Sequence, residues 1–178
     1  MKSSVSRRLL CLGSLTVLGG CGFQPVYMPT ASNNPGPAQR EFAAINVPII
    51  PERPGQLMRQ ALQERFGSDS GSTPARYDLI VTFGVAGEGV GIEANDIATR
   101  IRLIGNATYS LRSRDAKHTE LTAGAARALD GANIFDSQYF AADQEIEAEQ
   151  KRMAENIATQ IATQLAVWFR QQAAKKTT

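Results

Sequence analysis

The side chains of this sequence best suited to binding chemistry are arginines that recur on one face of a predicted strand. Arg100, Arg102 and Arg112 alternate with apolar residues, and Arg127 falls on the strand that follows. Guanidinium groups hold phosphate oxygens through paired hydrogen bonds, so these arginines favour an anionic partner such as a phosphorylated lipid. A solvated polar face, with the arginines paired to acids such as Glu120, is an equally open alternative.

Residues for catalysis or for metal binding are few. His118 is the single histidine, so a site with two imidazole ligands is excluded, and it falls in a predicted exposed hairpin. The acidic residues between 143 and 149 spread around a predicted helix start, which favours a solvated face. The glycines between 87 and 91 precede a strand, whereas a dinucleotide-binding loop precedes a helix. We therefore expect no enzyme activity, no metal and no cofactor.

Residues 1–20 have the pattern of a secretory signal. Basic residues without an acid precede an apolar run from Leu9 to Leu18, which is too short to span a membrane. The stretch Leu18-Gly19-Gly20-Cys21 resembles the lipobox of bacterial lipoproteins. That resemblance implies cleavage before Cys21 and attachment of acyl chains such as palmitate to its thiol. Gly22, in place of the Asp that often retains lipoproteins at the inner membrane, implies sorting to the outer membrane.

Signal cleavage changes the charge and the cysteine content of the chain. Three basic residues and no acid are lost, so the formal net charge of +2 becomes slightly negative. A near-neutral chain lacks the basic stripe of nucleic-acid-binding proteins, and we expect no such partner. Cys21 is then the one remaining cysteine, so an internal disulfide is excluded. A lipid on Cys21 would anchor the protein to a membrane surface without spanning it.

The first part of the mature chain predicts a tether, a strand and a helix. Residues 28–40 are rich in proline and asparagine, which favours an extended tether. Residues 42–50 predict a strand with Ile45, Val47 and Ile49 on one face. A helix follows, with Pro54 in its first turn and Gly67 at its end.

The second part predicts a sheet and a long helix. Alternating apolar residues indicate strands at 77–85, 100–112 and 119–129, which implies one covered and one open face. A glycine-rich connection is expected at 87–96 and a hairpin loop at 114–117. An amphipathic helix is predicted from about Asp143 to about Ala173, and its buried stripe contains Met153, Ile157, Ile161, Leu165 and Phe169.

The order of these elements predicts an α+β fold. Strand, helix, three strands and helix give a two-layer sandwich, with a four-stranded mixed sheet and two helices packed on one face. The predicted organisation is a signal peptide at 1–20, a lipidated N-terminus and tether at 21–40, and a single domain at 41–174.

Three stretches resemble the LptE family of lipopolysaccharide-assembly lipoproteins. Cys21-Gly22-Phe23 is similar to the start of the mature chain in that family. The strand at 100–111, with Asn106-Ala107-Thr108-Tyr109, resembles its long central strand, and residues 133–141 resemble its link to the long helix. The resemblance covers roughly residues 18–170.

The resemblance implies a role at the outer membrane. Members of the family insert into the large outer-membrane β-barrel LptD, help it assemble and support delivery of lipopolysaccharide to the cell surface. Some are linked to lipopolysaccharide binding through basic residues at the sheet. Arg127 corresponds to one such position, whereas a neighbouring basic position is Gly124 here.

The candidate contacts with lipopolysaccharide or with the barrel are Arg100, Arg102, Arg112 and Arg127. The alternative function is that of an auxiliary outer-membrane lipoprotein of a lipid-transporting ABC system, which shares the signal, the tether and a sheet-plus-helix domain.

Overall fold

The computed structural model describes residues 36–67, 73–92, 98–133 and 139–177. The signal sequence, Cys21 and the first part of the predicted tether lie outside these residues. The described chain forms helix α1 (Pro37–Phe42), strand β1 (Ile45–Asn46), helix α2 (Glu52–Phe66), strands β2 (Tyr77–Ile92), β3 (Ala98–Ser113) and β4 (Glu120–Asn133), and helix α3 (Tyr139–Thr177).

Helix α1 occupies residues that the sequence assigned to the tether. Pro37 stands at its first helical position, where the fixed φ of proline suits a helix and its missing N–H is not needed. Ala38 and Phe42 are both 2% exposed. The packed domain therefore begins before the predicted boundary at residue 41, and the prediction of an extended chain at 37–40 was wrong.

Strand β1 is shorter than the predicted strand at 42–50. Its two residues pair in parallel with Tyr77 and Asp78. Pro48 has no N–H to give to a ladder, so the strand ends before it. The predicted face also breaks there, because Ile49 is 83% exposed while Ile50 is buried.

Strands β2, β3 and β4 form an antiparallel meander, and the sheet order is β1-β2-β3-β4. This confirms the predicted four-stranded mixed sheet. Residues 87–92, expected in a connection, continue β2: Gly87 pairs with Leu103 and Glu88 with Arg102. Pairing with β3 outweighs the low strand propensity of the glycines.

Helices α2 and α3 cover the same face of the sheet, as predicted, and α2 ends at Gly67 with a φ of 64°. The predicted stripe of α3 is buried from Met153 to Phe169. A Cβ atom at Gly105 on β3 would lie 2.8 Å from Met153 Cγ, so the glycine permits this close approach of helix and sheet. The covered face is thus the core of the domain.

Strand β4 is an edge of the sheet, and two side chains of α3 reach over it. Gln160 Nε2 donates to the backbone oxygen of Arg127 at 3.1 Å. Gln164 Nε2 donates to the backbone oxygen of Ala125, also at 3.1 Å. Helix α3 therefore holds the edge strand through its backbone as well as through apolar packing.

Candidate functional site

The candidate site is the open face of the sheet, opposite the helices. Side chains of β2, β3 and β4 alternate between the two faces, and Arg102, Arg112 and Arg127 are all exposed on the open one. Arg100 is placed by register between Gly91 and Asn133; its side chain lies outside what the structure describes. Arg102, Arg112 and Arg127 thus share one face, as the alternation implied.

The arginines do not form one cluster. Arg102 and Arg112 are ten residues apart on β3, which corresponds to about 33 Å along a strand. Arg127 pairs with Asn106, four residues from Arg102, which is about 13 Å. The face therefore carries cations at its two ends and one more near its middle, too far apart for a single phosphate group.

Acidic residues stand opposite the arginines at both ends. Arg102 pairs in register with Glu88, and Arg112 with Asp78 and with Glu120. Ser110 Oγ donates to Glu120 Oε2 at 2.7 Å, and Arg112 Nε donates to Ser110 Oγ at 3.4 Å. The two ends of the face therefore balance charge locally, which agrees with the solvated-face alternative for Arg102 and Arg112.

Arg127 differs from Arg102 and Arg112 in its register partner, which is the uncharged Asn106 and not an acid. None of these three arginines forms an ion pair among the described residues. A shallow depression of about 430 Å³ lies beside it, lined on this face by Asn106, Thr108 and Ala125. Of the described arginines on the face, Arg127 is therefore the one best placed to meet an outside anion.

An exposed apolar pair lies next to Arg127. Leu129 is 61% exposed and pairs in register with Ile104, which is half-buried. Arg127 and Leu129 are two residues apart on the same strand, so their side chains point to the same face. A cation beside an exposed leucine and a half-buried isoleucine can meet both the phosphate and the hydrocarbon of an amphiphile. Sequence reasoning missed that Leu129 stands opposite Ile104, because alternation alone does not give strand register.

Gly124 lies on the covered face. It pairs with Tyr109, and a Cβ atom at this position would lie 2.7 Å from Tyr109 Oη and 2.9 Å from Gln164 Oε1. Tyr109 Oη donates to that same Oε1 at 2.7 Å, and burial raises the pKa of this tyrosine. A basic side chain at residue 124 has no room here, so this chain cannot use that position for binding.

An acidic pair lies between β4 and the first half of α3, where Glu149 is 5% exposed and Asp130 is half-buried. Arg152 forms an ion pair with each of the two carboxyl groups. Burial raises the pKa of Glu149 and the neighbouring Asp130 carboxyl raises it further, whereas the interaction with Glu149 lowers the pKa of Asp130. Glu149 Oε2 has no hydrogen-bond partner among the described residues. The prediction of a solvated acidic face was therefore wrong for Glu149, which packs over Asp130, although Glu147 is exposed.

The remaining sequence candidates are placed as follows. His118 is exposed in the β3–β4 hairpin. The glycine series at 87–91 lies in a strand. Among the described residues, no group of three or more His, Cys, Asp or Glu side chains is arranged to hold a metal ion. No helix in the described part of the chain is long and apolar enough to cross a membrane.

Comparison with known proteins complements this geometry. A putative lipoprotein from Caulobacter crescentus has a similar structure, with a TM-score of 0.62 and 24% identity, over 76% of this chain and 98% of that one. Rare lipoprotein B from Shewanella oneidensis matches with a TM-score of 0.49 and 11% identity, over 76% and 98%. No curated protein sequence matches significantly.

The sequence profile of the family described as "LptE: Lipopolysaccharide-assembly" matches residues 42–165. That range contains α2, all of β2, β3 and β4, and most of α3, which is well over half of the chain. This protein is therefore a member of the LptE family of lipopolysaccharide-assembly lipoproteins.

Proposed function

We propose that this protein is an outer-membrane lipoprotein that partners an LptD-type β-barrel, as a plug and an assembly factor, and so supports lipopolysaccharide assembly at the cell surface. The observation that carries the proposal is the two-sided sheet of this LptE-family chain. One face is buried under α2 and α3, and the other is open and mostly polar. An open polar face suits contact with the polar inner wall of a large barrel.

The open face also supports direct lipopolysaccharide binding. Arg127 supplies a cation without a described acidic partner, and Leu129 with Ile104 supplies exposed hydrocarbon. Lipopolysaccharide combines phosphate with acyl chains, so it fits this pairing better than a purely polar anion does. Arg100, Arg102 and Arg112 are, under this proposal, contacts with the barrel wall.

The anchor in this proposal is the lipid on Cys21. The barrel lies in the outer membrane, and Gly22 after the cysteine agrees with sorting there. We propose no catalytic activity and no cofactor, because LptE is a family of assembly proteins.

Purification from detergent-solubilised membranes tests the partnership. A C-terminal affinity tag should recover this protein together with one large β-barrel of the LptD type. Recovery of inner-membrane or periplasmic transport subunits in its place would support the auxiliary role in a lipid-transporting ABC system. Recovery of this protein without the barrel would overturn the plug function.

A further inference from the structure

A cavity of about 850 Å³ opens at one end of the sandwich, and Glu120, which stands opposite Arg112, is among its lining residues. Its apolar wall consists of Tyr77, Leu121, Trp168 and Phe169. The ring of Phe169 lies 5.4 Å from that of Tyr77 and 5.0 Å from that of Trp168, centroid to centroid. Phe169 is buried, whereas Tyr77, Leu121 and Trp168 are half-buried. The wall is therefore an aromatic surface that the described chain covers only in part.

Arg40, Glu41, Arg76 and Glu120 are the charged residues that line the cavity, and Glu41 is paired with Arg76 while Glu120 accepts a hydrogen bond from Ser110. Glu41 Oε2 accepts hydrogen bonds from Arg76 at 2.7 Å and from Tyr77 Oη at 2.8 Å. The guanidinium of Arg76 lies 5.5 Å from the centre of the Tyr77 ring. Burial raises the pKa of Tyr77, and the bond to Glu41 adds to this effect. The aromatic wall is the apolar part of this lining, and it favours contact with an uncharged, apolar side chain.

The chain enters the domain at this cavity. Helix α1 begins beside the buried Gly36, and Arg40 and Glu41 of α1 line the cavity. Arg40 is one helical turn from Gly36, or about 6 Å. Whatever part of the chain precedes Gly36 therefore starts within reach of the aromatic wall.

The sequence before Gly36 supplies an apolar segment at suitable distance. No charged residue occurs between Cys21 and Gln39, and the large apolar side chains are confined to Phe23, Val26, Tyr27 and Met28. Met28 and Gly36 are eight residue steps apart, and that length of chain can span up to about 28 Å. These residues lie outside the described part of the structure.

We propose that residues 23–28 of this chain dock in the cavity, with Phe23 and Tyr27 against the wall formed by Tyr77, Leu121 and Trp168. The segment is tethered to the domain, so its effective concentration at the cavity is high and modest contacts suffice to hold it. Cys21 is two residues from Phe23, so docking holds the anchoring point at this end of the sandwich. Docking of this segment requires no barrel partner.

The single tryptophan of the chain is Trp168, so its fluorescence reports on the cavity. The full-length lipidated protein in detergent is compared with a Phe23→Ser/Tyr27→Ser variant and with a Thr30→Ser/Asn33→Ser control from the same segment. Docking predicts a red shift of emission and stronger acrylamide quenching in the first variant alone. Equal spectra for all three proteins would overturn the proposal.

Two other occupants give different results in the same assay. Quenching of Trp168 by brominated acyl chains, unchanged by the serine substitutions, would assign the cavity to a lipid chain. Quenching that changes with protein concentration would assign it to a second copy. Either result would overturn docking of residues 23–28.

Cross-linking provides a measurement that does not rest on fluorescence. Val26→Cys combined with Gln172→Cys at the cavity should join through a short bismaleimide within one chain. Val26→Cys with Ala148→Cys, about 36 Å away along the same helix, is the matched control. Equal yields from both pairs would contradict docking.

Discussion

Tyr109 on β3 donates a hydrogen bond to Gln164 on α3 at 2.7 Å, and it does so across the position of Gly124 on β4. Strand β3, helix α3 and strand β4 thus meet at Gly124, which has no side chain. The bond links sheet and helix on the covered face, and the same Gln164 also reaches the backbone of β4. Gly124 is consequently a packing requirement of this core.

Gly124→Lys should therefore destabilise the protein. The new Cβ atom would lie 2.7 Å from Tyr109 Oη, and overpacking of this kind costs about 1–3 kcal/mol. The control is Ala125→Lys, the next residue on β4, which is exposed and should change stability by less than about 0.5 kcal/mol. Urea unfolding of both variants is the measurement; equal midpoints would contradict the tight contact.

Ile161→Ala tests the core under α3. Ile161 is fully buried, so truncation should lower the free energy of unfolding by about 2–5 kcal/mol. Val167 on the same helix is 42% exposed, and Val167→Ala is the control for helix propensity. A loss below about 0.5 kcal/mol for Ile161→Ala would show that this stripe of the helix is not core.

The Glu149–Asp130 pair predicts a pH dependence of stability. The pKa of Glu149 is raised in the folded state, so its ionised form destabilises the fold at neutral pH. This destabilisation is relieved as pH falls through the raised pKa, and it is gone below the usual carboxyl range. Asp130 has a lowered pKa in the folded state, so its ionised form stabilises the fold. This stabilisation is present above the pKa of Asp130 in the unfolded chain, and it is lost as pH falls through the lower pKa of the folded state.

Glu149→Gln should accordingly raise the melting temperature at pH 7 more than at pH 5, because glutamine removes a buried charge beside Asp130. Glu147→Gln, at an exposed residue paired with Arg53, serves as the control and should show little difference between the two pH values. Thermal melts of both variants across this range provide the test. A pH-independent effect of Glu149→Gln would exclude titration of Glu149 as the cause.

Cys21→Ala should prevent lipid attachment. The variant should accumulate as an uncleaved precursor or as protein released from the membrane, and the mass increment of the acyl chains should be absent. Intact-mass spectrometry and membrane fractionation measure both effects. Unchanged mass and unchanged membrane partition would show that the lipid is attached elsewhere.

Arg127→Glu should weaken lipopolysaccharide binding by the isolated protein while the fold survives, since the side chain is exposed. The Arg100→Glu/Arg102→Glu variant should instead reduce co-purification of the barrel and leave lipopolysaccharide binding intact. Arg112→Glu, at a residue set between Asp78 and Glu120, is the control for charge reversal on this face. If Arg127→Glu and Arg112→Glu have the same effect on lipid binding, Arg127 has no special role.

The sequence predicted those features that depend on periodicity. Alternation placed β2, β3 and β4 and identified the open face, and the four-residue repeat placed the stripe of α3. Features that depend on pairing between distant residues were not predictable in the same way. The glycines after residue 86 read as a connection because the pairing of Gly87 with Leu103 is not local.

The candidate site shows the same division. Periodicity put the arginines on one face, but only the register reveals that Glu88 and Glu120 stand opposite two of them and that Asn106 stands opposite Arg127. Glu149 belonged to a charged series by spacing, yet it is buried and shares Arg152 with Asp130 of a distant strand. A single sequence does not encode such partners in any local pattern.

Gln160 and Gln164 protect the edge strand β4 from pairing with other polypeptides. An edge strand offers its free carbonyl oxygens to any other extended chain, which is a common route to aggregation. Gln160 and Gln164 supply amide N–H groups in the positions that a fifth strand would fill, one helical turn apart along α3. These two side chains cover part of the free edge of β4. The backbone oxygens of Arg127 and Ala125 already accept hydrogen bonds within the protein, so they are not available to another extended chain.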